Sequence, residues 1–189
     1  MNAPRHSYPI HHAERWHGAA FTLMELLITM TIIAALVTLA VPATQRVMGR
    51  SRAAHCLNNL HNLGSGLQLY LTDHNNTMPT MVTARGSKDS DEPAIDNTLN
   101  AYLSDTTVFH CTADNKHLFE TTGCSYLWNN LLNGQNVASL DFMGFIKNGS
   151  QIPVMSDKED FHQYQEVKVN ILYADGHVAK DIQFVTNVK

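Results

Sequence analysis

The chain has 189 residues, a formal net charge of −4 and three cysteines. Once an apolar N-terminal stretch is set aside, that length leaves room for one modest domain with one core. The mildly acidic balance, without a large basic patch, argues against strong nucleic-acid binding. No internal repeat or low-complexity tract is visible.

Residues 1–20 are polar and carry Arg5 and Arg15 with His6, His11, His12 and His17. A histidine cluster can bind metal, but the plainer reading is a soluble, weakly cationic leader. From Phe21 to Pro42 the sequence FTLMELLITMTIIAALVTLAVP is almost wholly apolar. At about 1.5 Å per residue it is long enough to cross a bilayer as a helix. Its one charge is Glu25. An ionised carboxylate in hydrocarbon costs about 3 kcal/mol on insertion scales. A plain anchor explains the span and leaves Glu25 without a reason, which marks this residue as functional. A secretory signal peptide has a shorter apolar core, about 7–15 residues, before a small-residue cut site. Thr38-Leu39-Ala40 or Val41-Pro42-Ala43 would serve as that site. Pro42 removes one backbone hydrogen bond and is expected to kink or loosen the helix.

Beyond Pro42 the apolar pattern changes. Cys56, Leu60, Leu63, Leu67 and Tyr70 recur at spacings of four and three, flanked by Leu57, Gly64 and Leu71. This is the period of an amphipathic helix with one buried face. The two halves, 21–42 and 43–72, are therefore read as one helix of about 50 residues, near 75 Å at the usual rise. Gly64 and Gly66 either allow close packing or are merely tolerated, the second being the preferred reading. Thr72 to Thr77 ends the helix, with Pro79 as a stop. Residues 82–98, including Lys88-Asp89-Ser90-Asp91-Glu92-Pro93, read as an exposed loop, and Asn97 to Leu103 as a short helix.

The remainder reads as a small sheet, so that 73–189 forms a globular region. Val108–Cys111, Ser125–Trp128 and Ile152–Met155 are strand candidates. The strongest pattern comes last. Val167, Val169, Ile171 and Tyr173 alternate before Asp175-Gly176, a two-residue hairpin signal. A pairing of Tyr173 with Val178 puts Val178, Ile182 and Phe184 on the same face, laid on the helix stripe. The fold class is α+β, a long N-terminal helix on a small antiparallel sheet.

The N-terminal pattern resembles a family. Ala20, then Phe21-Thr22-Leu23-Met24-Glu25, the apolar run and Pro42 are similar to the start of type IV prepilins and type II secretion pseudopilins. The family nearly always has Gly before the cut; Ala20 is its nearest substitute in size. Cys111-Thr112-Ala113-Asp114 and Ile171 to Val178 also resemble the Cys-Pro-x-Asp and Tyr-x-Asp-Gly-His-Val stretches of a pseudopilin-like group. That group's tag of His, nine residues and Asp-Gly is not met, since twelve residues separate His162 from Asp175. The resemblance implies cleavage between Ala20 and Phe21 by prepilin peptidase and N-methylation of Phe21. It implies an ion pair between Glu25 and a neighbour's Phe21 amine. It also implies an inner-membrane, single-pass protein with a periplasmic C-terminal region. Its partners would be other pilin or pseudopilin subunits and an inner-membrane assembly platform, and its role a structural one in a secretion filament. A minor pilin of a surface fibre and a membrane-anchored periplasmic binding module are the alternative roles.

Few constellations suggest catalysis. Asp175 beside His177 is explained by a turn needing positive φ. Asp157, Glu159 and Asp160 form an acidic loop of the kind calcium favours. The resemblance to a calcium-binding pseudopilin raises that idea, but no EF-hand spacing is present, and no cofactor is expected. His110, His117, His162 and His177 are scattered, and none pairs with a cysteine at zinc spacing. No G-x-S-x-G or phosphate loop occurs, so an enzyme is not expected. Cys56, Cys111 and Cys124 allow three pairings, and a link from Cys56 would staple helix to sheet.

Overall fold

The computed structural model describes residues 21–164 and 166–180. The leader 1–20 with Ala20, and the positions Ile182 and Phe184, lie outside them. The chain divides into two units at the Pro42–Ala43 boundary, and each is taken by itself.

Helix α1 (Leu23–Asp73) runs through 51 residues, Pro42 included. In the first unit its side chains are exposed and almost all apolar. The hydroxyls there are satisfied by the helix itself. Thr29, Thr31 and Thr38 each donate to the carbonyl three residues back, at 2.9, 2.8 and 2.8 Å. A helix built this way presents no unmet polar group from those threonines, as a hydrocarbon environment demands.

In the second unit α1 turns amphipathic. Ala53, Cys56, Asn59, Leu60, Leu63, Gly64, Gly66, Leu67 and Leu71 are buried, the stripe expected from the period. The two glycines bring neighbours close. A Cβ at Gly64 would lie 3.0 Å from Leu172 Cδ1, and one at Gly66 would lie 2.8 Å from Leu103 Cδ2. They are thus packing positions, the first of the two readings, which corrects the preference for mere tolerance.

Four short strands form one antiparallel sheet in sequence order: β1 (Tyr126–Trp128), β2 (Pro153–Asp157), β3 (Ile171–Tyr173) and β4 (Val178–Ala179). The fold is α+β. The core joins Leu60, Leu63, Leu67 and Leu71 of α1 to Tyr126 and Trp128 of β1, Val154 of β2 and Leu172 of β3. Two short helices border it, α2 (Ile95–Leu99) and α3 (Leu118–Thr122).

Three local expectations are corrected. Val108 and Phe109 belong to a 3-10 turn, Thr106–Phe109, and not to a strand. Asp105 decides this, because its carboxylate accepts from the Thr107 backbone N–H at 2.8 Å and its hydroxyl at 2.6 Å, a local bond that competes with strand pairing. The hairpin register differs by one residue. Leu172 faces Val178, and the Tyr173 N–H donates to the His177 carbonyl at 2.9 Å. The loop holds three residues, with positive φ among them only at Gly176 (φ 89). Such a loop is a type I turn followed by a left-handed residue. Val167 and Val169 precede the strand and are half-buried. Finally, the polar stretch 82–98 is not wholly exposed. Arg85 is buried and paired with Asp96 of α2, and its Nη1 donates to the Ser90 carbonyl at 2.8 Å.

Candidate functional site

Two places in the chain gather candidate functional side chains. The first is the start of α1. Thr22 caps the helix: its Oγ1 accepts from the Glu25 backbone N–H at 3.2 Å. Glu25 reaches back, and its Oε2 accepts from the Thr22 N–H at 2.9 Å and the Thr22 hydroxyl at 3.0 Å. This reciprocal capping box satisfies donors that a helix start otherwise leaves orphaned. The Thr-x-x-Glu signal was present in the sequence and gives Glu25 a local role even in a plain anchor. From Phe21 to Met48 every residue is exposed, among them Leu23, Met24, Leu27, Ile33 and Leu36. The helix is long and apolar enough to cross a membrane.

The second place is a buried cluster under the sheet. Cys56 of α1 is disulfide-bonded to Cys111, with 4.9 Å between their Cα atoms. The bond ties the helix to the segment just after the 3-10 turn. Around it, Asn59 donates to the His110 carbonyl at 2.8 Å and Tyr126 to the Cys56 carbonyl at 3.4 Å. Cys124 is left as a free, buried thiol. Burial pushes that thiol up to about 12, so it stays protonated and inert.

Against the disulfide the fold brings His162, a partner that sequence spacing did not reveal. One ligand atom from each of Cys56, Cys111 and His162 lies within 4.8 Å of the others, and all three residues are buried. His162 is fixed from its far side. Its Nε2 is 2.9 Å from Asp157 Oδ2 and 2.8 Å from the Asn170 amide. The same Asp157 oxygen accepts from the Asn170 backbone N–H at 2.6 Å. His162 Nδ1, by contrast, is buried without a hydrogen-bond partner.

The acidic loop does not form one site. Asp157 is buried with His162, Glu159 accepts from Lys116 at 2.8 Å, and Asp160 faces Lys168 at 3.7 Å. Carboxylates divided among three partners do not converge on one cation. Asp175 accepts from the His177 backbone N–H at 3.1 Å and lies 2.5 Å from its Nδ1, while the His177 ring stacks on Tyr173. Partial burial disfavours the charged carboxyl, but these His177 contacts outweigh it and hold Asp175 below the usual range. The pair closes a hairpin.

Asp114, from the Cys-Thr-Ala-Asp stretch, has a clear structural task. Its carboxylate accepts from the backbone N–H groups of Lys116, Leu118 and Phe119 and from the Ser125 hydroxyl, at 2.9–3.2 Å. Burial disfavours the charge, and the four donors more than offset it, so its carboxyl titrates below the ordinary range.

Comparison with known protein families, curated proteins and solved structures finds no match for the chain.

Proposed function

We propose that the protein is a structural subunit of a type II secretion-type filament, held in the inner membrane by α1 before assembly, with its C-terminal region in the periplasm. The observation that carries the reading is the first part of α1. Its side chains are exposed and apolar, its threonine hydroxyls are turned back onto the helix, and its one carboxylate stands five residues after Ala20. Such a helix needs either lipid or other helices around it. Leaving lipid for a bundle of like helices exchanges one apolar contact for another, so close packing drives it more than transfer from water. In this reading prepilin peptidase cuts between Ala20 and Phe21, and the Phe21 amine is N-methylated. Glu25 pairs with the amine of a neighbouring subunit and sets the register of the stack.

The capping box makes a sharp test available. Glu25→Gln keeps a side chain able to complete the box and removes the charge; Glu25→Ala removes both. If the charge pairs subunits, both variants insert normally and neither assembles. Assembly of Glu25→Gln at the native level would reduce Glu25 to a cap and remove the proposed role. Mass spectrometry of the membrane-extracted protein gives the companion measurement. An N-methylated Phe21 is expected, whereas a start near Val41 or Thr44 overturns the reading. Surface fibres seen by electron microscopy would instead make the chain a pilus subunit.

A further inference from the structure

The cluster of Cys56, Cys111 and His162 has the composition of a structural metal site whose two sulfurs are joined. We propose that reduction of the disulfide opens a zinc site made of Cys56 Sγ, Cys111 Sγ and His162 Nδ1. The inference stands apart from the filament reading and does not depend on it.

Four observations carry it. The two sulfurs and a ring nitrogen of His162 already lie within 4.8 Å of one another. Tetrahedral zinc with sulfur at ~2.3 Å and nitrogen at ~2.0 Å needs them roughly 3.5–3.8 Å apart. Parting the sulfurs by less than the width of an atom and drawing in the ring satisfies that. Second, His162 is held as metal-bound histidines are held: one ring nitrogen faces a carboxylate, Asp157, and the other, Nδ1, is buried without a partner. With the Asn170 amide turned so that its otherwise unpartnered oxygen faces Nε2, donation from Nε2–H to Asp157 fixes the tautomer that leaves a lone pair on Nδ1. Third, the charges cancel. Two thiolates neutralise a divalent ion, so the metal and its three ligands together carry no net charge, which lowers the cost of burying them. Fourth, His162 also lines a cavity of about 110 Å³, with Arg52, Ala113 and Phe161, that is large enough for water. Thr112 Oγ1, 3.9 Å from Cys56 Sγ, offers an O–H to the thiolate.

The chemistry balances with a dithiol as reductant. Two electrons and two protons pass to Cys56 and Cys111 as the dithiol closes to its own disulfide. Zinc then displaces the two thiol protons to solvent. Oxidised and reduced forms are thus both cross-linked between α1 and the segment at Cys111, by a covalent bond in one and by an ion in the other.

The test uses the full chain in detergent, reduced with a phosphine, and titrated with Zn²⁺ and with Co²⁺ as a spectroscopic probe. The reduced protein should take up one Zn²⁺ and show a sulfur-to-cobalt charge-transfer band; the oxidised protein should do neither. Cys56→Ser should abolish the band, and Cys124→Ser should leave it intact. His162→Ala should weaken zinc binding at least ~10-fold, and Asp157→Asn, which leaves every ligand in place, by about 10–100-fold. If His162→Ala fails to fold, Asp157→Asn carries the test. A folded, reduced protein without the band overturns the proposal. So does an affinity unchanged in Asp157→Asn and in a folded His162→Ala.

Discussion

Asp114 shows how much one side chain organises. It gathers three backbone N–H groups at the entry to α3 and a hydroxyl from Ser125, next to β1. Asp114→Ala leaves those donors short of a partner and should cost about 1–3 kcal/mol, read by urea denaturation. The pH dependence has a definite sign. A carboxyl held below its ordinary value near 3.8 in the folded state contributes stability that is present above that value. The contribution is lost as pH falls through the lower, folded value. The stability gap between wild type and Asp114→Asn should therefore be full at neutral pH, begin to narrow near about pH 4 and close as pH falls through the lower, folded value. A gap that persists unchanged in acid would contradict the assignment. The sequence singled Asp114 out only through a resemblance. Its role depends on donors from two separate segments, and no local spacing reveals that.

Among the elements, legibility follows the range of the forces that decide them. The buried stripe of α1 was readable because a helix repeats every 3.6 residues, and the repeat from Cys56 to Leu71 is sustained over several turns. β1 and β2 were readable as short apolar runs. The Thr106–Phe109 turn was not, because a single Asp105 side chain overrides the apolar look of Val108 and Phe109. The register of the β3–β4 hairpin turned on whether Ala174 belongs to strand or loop, and the loop won with Gly176 as its left-handed residue. Most misleading was the stretch before α2. Its charged run, Lys88 to Pro93, is solvated as it reads, but on either side of it a buried Arg85 pairs with the partly buried Asp96 of α2. Arg85→Ala should cost about 3–5 kcal/mol, because it strands the Asp96 carboxylate. The double replacement Arg85→Met with Asp96→Leu should recover most of that loss. Thermal or chemical denaturation of the two variants distinguishes a stranded charge from a simple loss of packing.

At the scale of the molecule, the general form of the chain was legible and its cross-link was not. Three cysteines permit three pairings, and the choice rests on which residues the core brings within reach. The observed bond joins positions 55 apart in sequence. Cys56→Ser in metal-free buffer should lower the stability of the folded region by about 2–4 kcal/mol, measured against the oxidised wild type. The position of the bond has a mechanical consequence. Cys56 precedes Leu60, Leu63, Leu67 and Leu71 along α1. Tension entering from the N-terminal end of the helix therefore meets a covalent link before it loads those apolar contacts. With the other grip beyond Cys111, the load passes from one sulfur to the other, and the segment between them carries none of it. Single-molecule pulling between Val47 and a handle at Ser156 should extend the oxidised chain without releasing the 57–110 segment. Only after reduction in metal-free buffer should that length pay out. Under such a load the cross-link shields the apolar contacts of the 57–110 segment.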